Sequence, residues 1–189
     1  IENIELNSKI LNQEREIWVY TPFGFDENKS KNYDVIYVFD AQARAYFDLV
    51  HSAINFYNEG MFPMVVVGIV SPFDEKTKQS RNTDLLPKPE NDKTTKNYDG
   101  YLGNADNFFR FLTDEVSPFL EKNYRTTSSR IAVGHSNGGT FISYSFLEKP
   151  DFFNAYILVS PNYKYDDFQL VKRFKNFNFN QLNSKKFFY

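Results

Sequence analysis

The residues best suited to chemistry are Gly134-His135-Ser136-Asn137-Gly138, with a further glycine at position 139. They lie between an apolar run, Arg130 to Val133, and a stretch from Gly139 to Lys149. In that stretch Phe141, Ile142, Ser145 and Phe146 recur at helical spacing until Pro150 stops the run. A Gly-x-Ser-x-Gly sequence at a strand-to-helix junction predicts a sharp turn that strains the serine backbone and exposes its hydroxyl. Glycines two residues to either side let the strand and helix close on one another. Such a serine is suited to attack on a carbonyl, giving an acyl intermediate that water later cleaves. The bland alternative is an ordinary glycine-rich turn, and the strand before and helix after weigh against it.

An oxyanion formed in that attack needs two fixed donors. The first is expected from the backbone N–H of Asn137, where a free amide and the helix dipole both favour negative charge. The second is expected from the loop after the run Tyr33 to Asp40, from the amide of Gln42 or of Ala41. A proton acceptor is harder to find, because the chain has only two histidines, His51 and His135. His135 adjoins Ser136, so its side chain should leave the strand on the opposite face. His51 flanks the apolar face of an early helix and precedes the serine in the chain order, the reverse of serine, acid, histidine. Both read as structural. Asp166 and Asp167 read as solvated loop residues, and Arg81 and Asp84 read either as substrate contacts or as a pair that fixes a loop.

These groups need a scaffold. Asn3 to Asn7 and Glu14 to Pro22 are β-patterned, with Trp18 expected in the core. Tyr33 to Asp40 and Met64 to Val70 read as strands buried on both faces, which implies a parallel sheet. Tyr46, Phe47, Val50, Ile54 and Tyr57 mark a helix that Gly60 would cap. Ser71 to Leu102 reads as a long loop, too polar for core. Phe108 to Leu120 reads as a helix that Pro118 kinks. Ala155 to Ser160 reads as a strand, Phe168 to Phe174 as a short helix, and Lys186 to Tyr189 as the start of another strand. The fold class is therefore α/β, a mostly parallel sheet flanked by helices with an antiparallel N-terminal strand pair, in a single domain over 1–189. Asp40 and Ser136 should meet at the carboxyl edge of the sheet, where such folds bind ligands.

Composition removes several function classes. The formal net charge is −2 with Lys and Arg scattered singly, so no nucleic-acid partner is expected. The longest apolar run, Met61 to Val70, is broken by Pro63 and Gly68 and cannot span a bilayer. Cysteine is absent, and the two histidines have no metal-ligand spacing, so neither a metal nor a cofactor is expected. The sequence starts at Ile1, and export is the favoured expectation. Aromatic residues make up 19% of the chain and read as core more than as a stacking platform.

Six ordered motifs carry a resemblance to a known family. They are Val19-Tyr20-Thr21-Pro22, Val38-Phe39-Asp40-Ala41-Gln42, Val67-Gly68-Ile69, Arg81-Asn82-Thr83-Asp84-Leu85-Leu86-Pro87, Gly103-Asn104-Ala105-Asp106-Asn107-Phe108 and Gly134-His135-Ser136-Asn137-Gly138-Gly139. Together they resemble the Putative esterase family, the esterase D and enterochelin-esterase-like branch of the α/β-hydrolases. The resemblance implies an α/β-hydrolase fold and a serine carboxylic-ester hydrolase with Ser136 as nucleophile and Gln42 and Asn137 as the oxyanion hole. It implies a small-molecule ester as substrate: carbohydrate-linked, feruloyl or siderophore. Ala41 stands where the family usually has glycine. The family's acid and histidine follow the strand that begins here near Lys186, so the expectation is a C-terminally truncated chain with weak or no activity. Self-association through an exposed sheet edge would follow. A non-catalytic binding module on this fold, or an acyltransferase, is the alternative.

Overall fold

The computed structural model describes residues 1–57, 62–182 and 186–189; the expected Gly60 cap lies outside them. Strand β1 (Glu2–Ser8) pairs antiparallel with β2 (Gln13–Tyr20), and β2 pairs antiparallel with the later β4. Strand β3 (Tyr33–Phe39) leads through helix α1 (Arg44–Tyr57) to β4 (Met64–Ile69), which runs parallel to it. The segment after β4 holds two short helices, α2 (Arg81–Leu85) and α3 (Asp92–Asn97). Helix α4 (Ala105–Phe111) continues through a π-helical turn, Leu112–Val116, into α5 (Ser117–Asn123). Then come β5 (Thr126–His135), α6 (Asn137–Glu148), β6 (Ala155–Val159), α7 (Gln169–Lys175) and β7 (Phe187–Phe188). The strands of the described residues form one sheet in the order β1-β2-β4-β3-β5-β6-β7, with β4, β3, β5, β6 and β7 parallel.

The central strands bury both faces because helices cover both. From β3, Val35, Tyr37 and Phe39 point into the larger core with α4, α5 and α6, while Ile36 and Val38 point into a smaller one under α1. Gly68 explains how α1 approaches the sheet. A Cβ there would meet Phe47 Cδ2 at 2.7 Å and Ala41 Cβ at 2.9 Å, so any side chain would push the helix away. The expected use of aromatics as core is met by Phe39, Phe108, Phe141 and Phe153, all buried and joined through edge-on and tilted ring contacts. Each such pair adds about 0.5–1.5 kcal/mol beyond its burial. Trp18 departs from its expected place. It is only half-buried at the rim of the smaller core, under the Arg44 guanidinium at 4.8 Å.

Ser71 to Leu102 is more ordered than its polarity suggests. Ser80 caps α2, accepting from Asn82 N, and Thr83 closes the capping box. Leu85 and Leu86 are fully buried, so this polar stretch contributes to the core. What ties it down is a buried ion pair: Arg15 Nη2 lies 2.5 Å from Asp84 Oδ2, both side chains fully inaccessible. Gln79 Nε2 donates to the same carboxylate at 2.8 Å, and the Arg15 guanidinium lies 5.3 Å from the Phe108 ring centre. Arg81 and Asp84 therefore do not pair with each other. Pro118 does not end the helix, as expected. Lacking an N–H, it cannot serve the preceding turn, and the backbone widens into the π turn immediately before it.

Breaking the Arg15–Asp84 pair from one side should strand a buried charge. Asp84→Ala is expected to cost about 3–5 kcal/mol in chemical denaturation. A loss within about 0.5 kcal/mol would mean that Arg15 reaches water.

Candidate active site

Ser136 joins β5 to α6 with φ 53° and ψ −116°, a conformation that a residue with a Cβ adopts only under constraint. Its backbone is held on three sides. Ser136 N donates to Val159 O at 2.9 Å, and Ser136 O accepts from Thr140 N at 3.1 Å and from Asn162 N at 3.2 Å. The side chain is left over: Ser136 Oγ makes no hydrogen bond among the described residues. Helix α6 begins directly at Asn137, two residues earlier than the periodicity predicts.

The flanking glycines are not equivalent. A Cβ on Gly134 would lie 2.4 Å from Gly138 C and 2.5 Å from Gly138 O, inside the backbone of α6. A Cβ on Gly138 would find only ordinary contacts, Asp40 Oδ2 at 3.5 Å and Phe39 Cβ at 3.6 Å. Gly139 is tight against Pro161 Cβ at 3.0 Å. The strand-side glycine therefore carries the close packing, and the contacts at Gly138 bring the Asp40 loop against the first turn of α6, as the sheet-edge expectation requires.

Asp40 organises that loop. It has φ 64°, its side chain is inaccessible, and it takes a two-pronged bond from Arg81, Nε to Oδ1 at 2.8 Å and Nη2 to Oδ2 at 2.5 Å. The hydrogen bond to Asp40 is the main cause of the upward shift in the Arg81 pKa. Gln42 Nε2 donates to Asp40 Oδ1 at 2.9 Å, and Gln42 Oε1 accepts from Ser71 N at 3.0 Å, so the loop after β3 is tied to the ends of β4 and α2. The Ala41 amide is already spent on Ile69 O at 3.1 Å. The Gln42 and Asn137 amides have no partner among the described residues. The Asn137 side chain is committed: Nδ2 donates to Asn82 Oδ1 at 2.7 Å, and Oδ1 accepts from Asn162 Nδ2 at 3.0 Å.

Neither histidine stands as a base. His135 follows the parity of Ile131 and Val133, toward α1, where its Nδ1 bonds Tyr46 Oη at 2.9 Å. His51 packs edge-on against Tyr20 and face-on to Phe47, and burial lowers its pKa. Asp166 contradicts its expected solvated state. It is buried and accepts from Glu90 N at 2.7 Å and Asn91 N at 3.2 Å. Asp167 is exposed and paired with Lys172. Asn162, which touches both Ser136 and Asn137, carries no motif that would have singled it out. Asp40 and Arg81 stand in quoted motifs, and only their partnership was missed.

Residues 8–168 match the family described as Putative esterase. The ferri-bacillibactin esterase BesA of Bacillus subtilis is 30% identical over 155 residues, covering 77% of this chain and 53% of that protein. A siderophore enterobactin esterase of Emericella nidulans is 30% identical over 122 residues, covering 60% of this chain and 40% of that protein. The chain thus spans about half or less of the length of these relatives. Among solved structures, the BES protein of Bacillus cereus superposes with a TM-score of 0.80 at 23% identity, over 99% of this chain and 71% of that one. The fold is that of the α/β-hydrolases, as the motif order implies.

The asymmetry of the two glycines is testable by thermal or chemical unfolding. Gly134→Ala should destabilise by at least about 2 kcal/mol, because helix backbone must move. Gly138→Ala should be neutral or stabilising by up to about 1 kcal/mol, since alanine is the better helix former and its Cβ has room. Equal losses would contradict the packing described.

Proposed function

The chain belongs to the Putative esterase family, and on that premise we propose that it acts as a serine carboxylic-ester hydrolase with Ser136 as nucleophile. The observation that carries this reading is the serine itself: positive φ, a free hydroxyl, and an unpaired amide immediately after it. Ser136 Oγ attacks the ester carbonyl, its proton passes to a base, and the carbonyl oxygen becomes an oxyanion. The amides of Asn137 and Gln42 serve as its donors, and Ala41 is excluded because its N–H is in use. Collapse of the intermediate breaks the bond to the alcohol, which leaves with the proton. Water then attacks the acyl group, releasing the acid and restoring the serine.

The relatives named as siderophore esterases support a siderophore ester as the substrate class to try first. Asp40 and Arg81 act by position: they hold the Gln42 amide in place through a carboxylate that sees no water. Both histidines of this sequence are engaged away from Ser136, so it offers the hydroxyl no imidazole. General-base help is worth on the order of a hundred- to ten-thousand-fold, and turnover of activated aryl esters by this chain should be feeble to that degree.

A fluorophosphonate probe tests the nucleophile directly. The chain should take up one phosphonyl group, slowly, on Ser136 by peptide mass spectrometry, and faster when imidazole is added as a surrogate base. Ser136→Ala should take up none. Modification at another residue, or no modification even with imidazole, would favour a binding module. Asp40→Asn should slow labelling at least about tenfold while Ser136 stays the labelled residue, because loss of one oxyanion donor costs about a hundred- to a thousand-fold when complete. An unchanged rate would remove Asp40 from the positioning role.

A further inference from the structure

A cleft of about 420 Å³ opens beside the nucleophile turn, between α3 and the loop from β6 to α7. Asn162 belongs to both places. It lines the cleft, its N–H bonds Ser136 O at 3.2 Å, and its Nδ2 bonds Asn137 Oδ1 at 3.0 Å. A group seated in the cleft would therefore lie next to the residues that shape the attack.

The charges in its wall are unevenly satisfied. Of the carboxylates, Asp166 is buried against the Glu90 and Asn91 amides, and Asp167 is paired with Lys172 Nζ at 2.6 Å. The wall also carries Lys93 and Lys164, both exposed, and neither has a carboxylate partner among the described residues. Asp166 is spent on the frame and Asp167 on an exposed ion pair, whereas the two lysines remain available to a ligand. The frame is also stiff. Tyr165 Oη donates to Pro87 O at 2.7 Å, Tyr165 meets Tyr98 edge-on, and Asp166, Asp167 and Phe168 all hold positive φ, at 47°, 54° and 62°. Three successive non-glycine residues in the left-handed region mark a turn kept for its shape, and such strain collects at ligand clamps.

We propose that this cleft is a substrate subsite that receives a negatively charged portion of the ester, with Lys93 and Lys164 supplying the attraction and Asn162 linking it to the nucleophile. The assignment rests on Ser136 being the nucleophile. Lys93 and Lys164 select among esters and take no part in the bond-making steps.

The test uses the Ser136→Ala chain, so that binding is read without turnover, and two stable esters of matched shape, monomethyl terephthalate, an anion, and dimethyl terephthalate, which is neutral. Titration calorimetry or ligand-observed NMR at low ionic strength should show the anion binding roughly fivefold or more tightly, as expected for two partly solvated ion pairs. The preference should shrink in high salt, where exposed charges are screened. The double variant Lys93→Gln/Lys164→Gln, changed only at exposed positions and expected to melt like the parent, should bind the two esters alike. Equal binding by the parent, or a preference that survives the double substitution, overturns the proposal. The fluorophosphonate result separates the two readings. A labelled Ser136 without an anion preference removes the subsite alone, and a preference without labelling removes the nucleophile.

Discussion

No side chain fits between Gly134 and the first turn of α6. With 2.4 Å from a hypothetical Cβ to the carbonyl carbon of Gly138, the end of β5 and the start of α6 pack backbone to backbone, and a single residue, Ser136, separates the two elements. Ser136 takes up the resulting strain in its φ of 53°, which on its own disfavours the turn by about 1–3 kcal/mol. Hydrogen bonds from Ser136 N to β6 and from Asn162 N and Thr140 N to Ser136 O offset that strain. The unpaired hydroxyl and the free Asn137 amide both follow from this one approach.

The second constraint is electrostatic. Two carboxylates with inaccessible side chains, Asp40 and Asp84, each hold an arginine from a distant part of the chain, Arg81 and Arg15. Burying an ion pair seldom adds much net stability, because desolvation consumes most of the attraction. Removing one partner is costly, so the pairs discriminate strongly against wrong arrangements. In this chain they fix the segment from Ser71 to Leu102, too polar to be held by burial alone, against β2 and the loop after β3. The Gln42 amide is thereby referenced to the same frame as the α6 N-terminus, through Asp40 on one side and Asn82 to Asn137 on the other.

What could be read from the letters was whatever depends on neighbours in the chain. The unbroken apolar run of β3 and the helical spacing after the elbow reflect which faces are covered, and both are periodic signals. The turn at Ser136 is equally local. Charge partnerships are not, since Arg15 and Asp84 are brought together only by the sheet, and proximity in sequence pointed to Arg81 for Asp84. Asp166 was read as solvated for the same reason: its partners are the backbone amides of Glu90 and Asn91, which carry no side-chain signature. The π turn before Pro118 escaped because a proline predicts disruption without saying whether the helix bends or widens. Gly134 and Gly138 look alike in a motif, and only the direction in which each Cβ would point distinguishes them.

The division of labour within the site has a further consequence. The proposed oxyanion donors are backbone amides, placed by the turn and the Asp40 loop, and they need no particular side chain at Asn137 or Gln42 to exist. The Asn137 side chain is instead a structural link, joining Asn82 on α2 to Asn162 after β6. Proton transfer is different, since it needs a titratable side chain aimed at one atom. The two histidines are drawn to the opposite sheet face or its margin: His135 by strand alternation and Tyr46, His51 by the rings of Tyr20 and Phe47. Moving His135 to the opposite face of β5 would require a one-residue slip of the strand, and that slip would turn Ile131 and Val133 out of their core and carry Gly134 away from α6. The packing that shapes the turn at Ser136 therefore keeps the nearest histidine away from it, so a base for the proposed nucleophile must approach from an element other than β5.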